Sequence, residues 1–305
     1  MNEAKTSAAP PALTEADYLA AAKAGSTRNE YRKDLRYFME AGGTIPATVD
    51  QVAAYLTKMA AHLAVTTIER RLVSLHVAHL DAALPSPAHH PRIRKMLQGI
   101  RRTKGVAVKQ ATAIVKDDLL EMLVVAGKAR PMQAARNAAL LLLGWVGAFR
   151  RSELATLRCE DITWLDSGIE ITLRHSKVDQ GGAGFVKFLP NAHGSRCPRL
   201  ALQHWQKVSG ITEGYLFRPI NRHDQIADQP LTPQAVSIIV KRIIEQTGRD
   251  PDLYSGHSLR AGFVTEGVMS GVSEHLLMMT TAHRSAQTLQ KYVRVGKRRR
   301  IPSLL

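Results

Sequence analysis

The apolar stretch Ala138–Phe149 constrains the fold of this chain more than any other part of its sequence. It overlaps a predicted helix, Pro131–Trp145, whose Leu140–Leu143 segment is apolar nearly all round, so other elements must bury that helix. The stretch is too short to span a bilayer. Gly147 can end the helix, and Arg150 follows at the start of the next one. We therefore expect a packed domain with a charged side chain at one of its corners.

The elements around this helix predict a mostly helical domain that contains a small sheet. Asp117–Ala126 has helical periodicity, whereas Ile162–Leu165, Ile169–Leu173 and Phe185–Leu189 are predicted to be three short strands. Apolar and polar side chains alternate along the second strand, as in a half-buried antiparallel sheet. The rest of this part of the chain is predicted to be helical.

The N-terminal part of the chain predicts helices without any strand alternation between them. The predicted helices cover about Glu15–Ala24, a segment opened by Ser26, a segment opened by Thr48 or Asp50, about Thr66–Leu80, and about Pro91–Arg102. The fold class is therefore mainly α, with an all-helical first domain and a mostly helical second domain that carries a three-stranded antiparallel sheet.

Composition and periodicity also predict the domain boundaries. We expect a disordered N-terminus over residues 1–12, a helical domain over 13–103, a linker over 104–113, a second domain over 114–292 and a basic C-terminal tail over 293–305. The linker is placed where apolar periodicity is weakest.

The charge of the chain indicates a polyanionic partner. Its formal net charge is +16, which points to nucleic acid, and an aromatic content of only 5% disfavours a protein that binds single strands by base stacking. Duplex DNA fits better. No acidic residue occurs between Ala82 and Lys116, and the candidate phosphate contacts there are Arg92, Arg94, Lys95, Arg101, Arg102, Lys104 and Lys109. The alternative for this region is a solvated charged tether.

The two cysteines and the N-terminus set the expected compartment. Cys159 and Cys197 are far apart and form no C-x-x-C motif, so neither a disulfide framework nor a zinc ribbon is predicted. The N-terminus lacks a charged start followed by an apolar stretch, so no secretory signal is expected. We expect a soluble cytoplasmic protein without a membrane partner.

Polar side chains that could together hold and attack one phosphodiester follow the buried helix. Phosphoryl transfer depends mostly on positioning and electrostatic stabilisation, for which the forked, permanently charged arginine side chain is well suited. The candidates occur in the order Arg150, Lys177, His257, Arg260, His283 and Tyr292, with Glu153 on the helical face of Arg150. Taken singly, each has a simpler structural explanation, such as a surface ion pair or an exposed tyrosine.

Spacing constrains how these candidates could meet. His257 and Arg260 are three residues apart at a predicted helix start, which aims both side chains the same way. His283 and Tyr292 would be about 13.5 Å apart along one continuous helix. A helix break is therefore predicted near Ser285, which would cap the helix that carries the tyrosine.

Taken together, these residues resemble the tyrosine recombinase (phage integrase) family, over about residues 14 to 292. Residues 147–154, Gly-Ala-Phe-Arg-Arg-Ser-Glu-Leu, are similar to the family's G-x-R-x-S-E-L stretch, and His257-Ser-Leu-Arg260 matches its H-x-x-R pair. The first domain would be the core-binding domain and the second the catalytic domain. Two departures are visible: Ala261 follows Arg260 where many members have histidine, and Thr281-Ala282-His283 replaces the usual Leu-Gly-His.

The resemblance implies a site-specific DNA recombinase. Tyr292 would attack the scissile phosphate, forming a 3′-phosphotyrosine, and Lys177 would protonate the 5′ oxygen that leaves. Arg150 and Arg260 would hold the non-bridging oxygens, Glu153 would support them, and His257 and His283 would bond the phosphate, with His257 a candidate base. No metal, ATP or other cofactor is expected.

The resemblance also implies partners. The expected substrate is duplex DNA with inverted-repeat half-sites, bound by a homotetramer, and the apolar end of the tail, Ile301, Leu304 and Leu305, would dock on a neighbouring subunit. Two alternatives remain open from the sequence. One is an architectural or regulatory DNA-binding protein without catalysis, and the other is an enzyme like a type IB topoisomerase or a telomere resolvase.

Overall fold

The computed structural model describes residues 14–15, 18, 22–105, 111–174 and 184–282. The chain divides into two compact units, Met1–Lys109 and Gln110–Leu305. The predicted disordered segment, residues 1–12, and the predicted basic tail, residues 293–305, lie outside the described residues.

The described part of the first unit is helical. Its helices are α1 (Gly25–Glu40), α2 (Val49–His62), α3 (Val65–Asp81) and α4 (Pro91–Lys104), and a single 3-10 turn, Pro87–His89, precedes α4. Of the helix predicted at about Glu15–Ala24, the described residues Glu15 and Tyr18 are helical.

The start of α2 is fixed by a reciprocal cap at Thr48. The Gln51 amide donates to the Thr48 hydroxyl (3.2 Å), and the Thr48 amide donates to the Gln51 side-chain oxygen (2.9 Å). This arrangement satisfies two backbone donors that a helix start leaves open. It therefore selects Thr48 over Asp50, the two caps between which the sequence left a choice.

The first unit has its own apolar core and one buried carboxylate. Fully buried side chains from all four helices meet in that core, among them Phe38, Val52, Leu56, Ile68, Leu75 and Ile93. Beside them, Asp34 of α1 is only 2% exposed. It accepts hydrogen bonds from Ser74 (2.8 Å) and Arg70 (2.9 Å), both on α3. A buried charge needs such partners, so this contact fixes the register of α1 against α3.

The second unit combines helices with one sheet. Its helices are α5 (Lys116–Ala126), α6 (Pro131–Val146), α7 (Arg151–Thr156), α8 (Pro198–Ser209), α9 (Pro233–Gln246), α10 (Ser258–Met269) and α11 (Glu274–Thr281), joined in places by single 3-10 turns. The strands are β1 (Ile162–Leu165), β2 (Gly168–Leu173) and β3 (Phe185–Pro190), antiparallel in the order β1-β2-β3. The prediction of a mainly α fold with a small three-stranded antiparallel sheet is confirmed.

Helix α6 is the centre of the second unit, as its apolar sequence predicts. Ala139 and Leu140–Leu143 are at most 2% exposed, and α5, α7, α8 and α10 pack around the helix. Two glycines, Gly144 on α6 and Gly262 on α10, allow α10 to lie close to α6 and to Ile114, which precedes α5. A Cβ at Gly144 would lie 2.8 Å from a methyl of Leu259, and one at Gly262 would lie 1.6 Å from the Ile114 carbonyl oxygen. This close packing brings the start of α10 against the end of α6.

No helix in the described ranges is both long and apolar enough to cross a bilayer.

The buried carboxylate makes the first prediction. Asp34→Ala removes the acceptor of two hydrogen bonds, so the free energy of unfolding of the first unit should fall by about 2 kcal/mol. The matched control is Asp81→Ala, because Asp81 forms an exposed pair with Lys23 (3.2 Å). It should change stability by less than about 0.5 kcal/mol. Urea denaturation followed by hydrogen exchange of residues 25–81 measures both, and equal effects would contradict the prediction.

Candidate active site

The turn between α6 and α7 places Arg150. Gly147 caps α6, Ala148 has a left-handed backbone (φ 45°), and Phe149 is 1% exposed. A Cβ at Gly147 would lie 2.3 Å from the Phe149 ring, so the turn can fold onto this ring only with glycine there. Arg150 is the N-cap of α7. The backbone of this turn is strained, and strain of this kind persists where the surroundings impose it.

Glu153 holds Arg150 at two points. The Arg150 amide donates to one carboxylate oxygen (2.9 Å) and its Nη1 donates to the other (2.5 Å). The Glu153 side chain is only 3% exposed and that of Arg150 is 16% exposed. The structure therefore brings these two predicted residues together, and the pair fixes the direction of the guanidinium.

Arg260 joins the same turn to the end of α11. It is 3% exposed on α10, and its Nη1 donates to the Ala148 carbonyl (2.8 Å) while its Nη2 donates to the Thr281 carbonyl (2.6 Å). His257 lies at the N-cap of α10 with an exposed side chain, three residues before Arg260. The predicted H-x-x-R pair is thus one buried cation and one exposed imidazole at a single helix end.

Lys187 is a residue of this site that the sequence reasoning missed. It is 2% exposed on β3, and its ammonium donates to the carbonyls of Gly147 (2.7 Å) and Thr280 (2.5 Å). The alternation of side chains along β3 could have revealed it. Lys187 lies on the same inward face of the strand as Leu189 and pairs with Ile171 of β2. A lysine in register with core residues of an alternating strand is rarely a surface residue.

The surroundings of Lys187 lower its pKa. Burial is the main cause, the positive charges of Arg260 and Arg150 add to it, and the carboxylate of Glu153 opposes it. The resulting pKa is about 7. Four charged side chains from different elements therefore act on one another electrostatically. They are Arg150 in the turn after α6, Glu153 on α7, Lys187 on β3 and Arg260 on α10. They form one cluster with an excess of positive charge, which suits an anionic ligand.

The last turn of α11 ends in a left-handed alanine. Thr281 is fully buried, and Ala282 caps the helix with φ 51°, the conformation that glycine usually adopts at this position. This is the place of the usual glycine in the family's Leu-Gly-His. Ala282 adopts the left-handed conformation that glycine would have at this position. Replacing the family's glycine with alanine therefore keeps the shape of the turn but strains its backbone.

Three predicted catalytic residues, Lys177, His283 and Tyr292, lie outside the described residues, as does Lys109. His283 follows Ala282 in the sequence, so it is covalently attached to the end of the described site. In the described ranges, no group of three or more His, Cys, Asp or Glu side chains could hold a metal ion.

Six of the seven basic residues predicted to contact DNA lie on α4 and are exposed. Arg92 pairs with Asp50 (2.5 Å), Arg101 with Glu69 (2.6 Å), and Lys104 donates to the Ala60 carbonyl (2.5 Å). The side chains of the remaining three, Arg94, Lys95 and Arg102, have no hydrogen bond or ion pair within the described part of the chain. Their role in DNA binding stays a prediction.

Comparison with known proteins decides the family. The model of the phage integrase family matches residues 114–299. The chain is 31% identical to an integrase/recombinase XerD homolog of Selenomonas ruminantium, over 83% of this chain and 75% of that one. It is 27% identical to recombinase Cre of Escherichia phage P1, over 82% of this chain and 76% of that one. This chain belongs to the phage integrase family. It is a tyrosine recombinase, an enzyme that cuts and rejoins DNA.

Solved structures share its fold. The chain is similar to the XerH site-specific recombinase bound to palindromic difH substrate, with a TM-score of 0.64 and 19% identity over 87% of this chain and 74% of that one. It is also similar to a lambda integrase(75–356) dimer bound to a COC′ core site, with a TM-score of 0.61 and 16% identity over 90% and 91% of the two chains.

Lys187 makes the stability of this recombinase depend on pH. Its pKa is about 7 when folded against 10.5 for an ordinary lysine, so the unfolded chain binds more protons between these values. Stability attributable to Lys187 therefore rises as pH increases from 7 towards 10.5. Relative to Lys187→Met, the free energy of unfolding of the wild type should gain up to about 1.4 kcal/mol per pH unit in this window. All tryptophans, Trp145, Trp164 and Trp205, lie in the second unit, so urea denaturation followed by fluorescence measures it.

The control for this titration is Lys207→Met, which removes an exposed lysine from the same unit. Its pH profile should run parallel to that of the wild type. Parallel profiles for Lys187→Met and the wild type would show that the amine keeps its ordinary pKa.

The left-handed cap of α11 gives a third prediction. Ala282→Gly relieves a backbone cost of about 1–2 kcal/mol and adds about 0.4–1 kcal/mol of unfolded-state entropy. The second unit should therefore become more stable by about 0.5–1 kcal/mol. Ala138→Gly, within α6, should instead lose about 1 kcal/mol. Tryptophan fluorescence in urea checks both, and a destabilising Ala282→Gly would refute the strain.

Proposed function

We propose that this recombinase cuts DNA with Tyr292 at a site built from Arg150, Glu153, Arg260 and the residues that follow Ala282. The observation that carries the proposal is the meeting of two arginines at one turn. Arg150 starts from that turn, and Arg260 bonds it and the end of α11. The chain leaves α11 directly into His283. The tyrosine then follows nine residues later.

The arginines would bind the non-bridging oxygens of the scissile phosphate. A guanidinium has five N–H donors in a rigid fork. Glu153 occupies Nη1 of Arg150, and within the described residues its Nε and Nη2 have no acceptor. The fork is thus held from one side, which leaves the other side to an incoming oxyanion. Negative charge grows on those oxygens as the nucleophile arrives, so fixed cations stabilise the transition state more than the ground state.

The covalent step exchanges one phosphodiester for another. The Tyr292 oxygen forms a bond to phosphorus and loses its proton to a base, for which exposed His257 is the candidate. The bond from phosphorus to the 5′ oxygen breaks, and Lys177 supplies the proton that makes a 5′-hydroxyl. A tyrosine pKa of about 10 explains why the step needs a base at neutral pH. Attack by the 5′-hydroxyl of a partner strand reverses these events and restores DNA.

The substrate would be duplex DNA with inverted-repeat half-sites, bound by four copies of this chain. The relatives of similar fold are bound to palindromic and core-site DNA. The net charge of +16 suits such a substrate, and Arg94, Lys95 and Arg102 on α4 are the exposed cations best placed to contact phosphates. We place its action in the cytoplasm on nucleoid DNA. The segment Ile301, Leu304 and Leu305 would join neighbouring copies.

The family assignment favours recombination over the two alternatives left open by the sequence. A DNA-binding protein without catalysis would not need a buried carboxylate that orients Arg150. A topoisomerase or a telomere resolvase would use the same residues for its chemistry. Relaxation of supercoiled DNA that lacks a specific site distinguishes a topoisomerase from a site-specific recombinase. A site-specific recombinase should leave such DNA unrelaxed.

A nicked substrate tests the nucleophile. Wild type should form a covalent adduct with the 3′ phosphate that resists denaturation, and Tyr292→Phe should form none while binding the same DNA, because it lacks only the attacking oxygen. Tyr215→Phe is the control, since it removes another hydroxyl from the same unit and keeps the ring against Arg158. Mapping the attached peptide identifies the residue. An adduct with Tyr292→Phe would overturn the proposal.

A further inference from the structure

The buried position of Lys187 calls for an explanation. Its side chain is 2% exposed between the rings of Phe149, 5.0 Å away, and Phe185, 5.6 Å away, on the core side of β3. Lysine is almost never fully buried unless it is paired, since burial disfavours the charged form. None of the roles assigned to catalytic residues above uses it. A group so costly to bury is expected to do something that an apolar side chain cannot do.

What Lys187 does is join two segments that belong to different parts of the chain. One acceptor is the carbonyl of Gly147, at the end of α6, and the other is the carbonyl of Thr280, at the end of α11. Arg260 bonds the next carbonyl of each segment, at Ala148 and Thr281. Two cations therefore cross-link the same two segments one residue apart.

Helix electrostatics explain why cations are needed there. The last carbonyls of a helix lack intrahelical partners and carry the negative end of the helix dipole. The ends of α6 and α11 are brought together at this point, so their dipoles repel each other. The N–H donors of Lys187 and Arg260 satisfy carbonyls of both helix ends, and the charge of Arg260, together with that of Lys187 when it is protonated, offsets the repulsion. Methionine in place of Lys187 would fill similar space without either effect.

We propose that Lys187 is a positioning residue of the strand-transfer site, which holds the end of α11 against the turn that carries Arg150. The segment that contains His283 and Tyr292 then departs from a fixed point beside Arg150. This inference rests on the proposed role of Tyr292. Lys187 acts through the backbone and does not touch DNA, and it is distinct from Lys177, the proposed proton donor.

The experiment separates DNA affinity from the rate of cleavage. Single-turnover cleavage of the nicked substrate is measured at saturating protein, together with the dissociation constant for intact DNA, for wild type, Lys187→Met, Lys187→Arg and Lys207→Met. Displacement by about 1 Å of a catalytic group can cost about 100-fold in rate. Lys187→Met should therefore cleave about 10- to 100-fold more slowly while its dissociation constant stays within about twofold.

Rescue and local exchange distinguish positioning from simple stabilisation. Lys187→Arg restores a cation with donors for both carbonyls, so it should cleave faster than Lys187→Met, and Lys207→Met should match wild type. In Lys187→Met, hydrogen exchange should increase at residues 144–150 and 278–282 but not in β1 and β2. If Lys187→Met does not fold, Lys187→Gln, which keeps one donor group, replaces it with the same expectations.

Specific outcomes would overturn the inference. Lys187→Met that cleaves as fast as wild type would do so, as would loss of DNA binding in step with cleavage or faster exchange throughout the second unit. These results differ from failure of the proposed function itself. In that case wild type would form no adduct at Tyr292, whatever residue stands at position 187.

Discussion

The second unit depends on two buried cations that hold two helix ends together. Lys187 and Arg260 donate hydrogen bonds to four carbonyls. Two of these belong to Gly147 and Ala148, directly after α6, and two belong to Thr280 and Thr281, in the last turn of α11. The N–H donors of the two side chains satisfy carbonyls that the helix ends would otherwise leave without partners, and the permanent charge of Arg260 offsets the repulsion between the negative ends of the helices. Three other features meet at this contact: the close packing of α10 on α6, the turn before α7, and the point where the chain leaves α11.

Backbone strain lies at both segments that the cations hold. Ala148 follows the end of α6 and Ala282 follows the end of α11, and each has a left-handed backbone without being glycine. A conformation of this kind costs about 1–3 kcal/mol and persists only where its surroundings impose it. The bonds of Arg260 to Ala148 and Thr281 are part of what imposes it. The arginines are therefore set in place by the fold, before any phosphate could organise them.

Local contacts of this site could be predicted from the sequence, and the distant ones could not. The meeting of Arg150 and Glu153 follows from a spacing of three residues on a helix, and the burial of α6 follows from its apolar sequence. The choice of Thr48 as a cap needed geometry, because both candidates are good caps. The bond of Arg260 to Ala148 crosses more than a hundred residues, which periodicity cannot address. The resemblance to a family supplied that grouping instead.

Lys187 was missed for a different reason: the family pattern directed attention to another lysine, Lys177, ten residues earlier. A positive residue in a strand is ordinarily assigned to the solvent face, although the alternation of β3 places this one inward, in the row of Leu189. The alternation of inward and outward positions along β3 was visible in the sequence, and it indicated that Lys187 is buried. A charge that falls in the apolar phase of a strand is therefore worth treating as a site residue.

Burial of its central cations separates the chemistry of this recombinase from its affinity for DNA. Lys187 and Arg260 are at most 3% exposed, so neither offers its charge at the protein surface. We propose that exposed residues, such as Arg94, Lys95 and Arg102 on α4, supply the attraction for DNA. Exposed charges are screened by salt, whereas buried ones are screened much less. In this proposal, positive charge serves two purposes in two places: exposed cations attract DNA, and buried ones fix the geometry of the site.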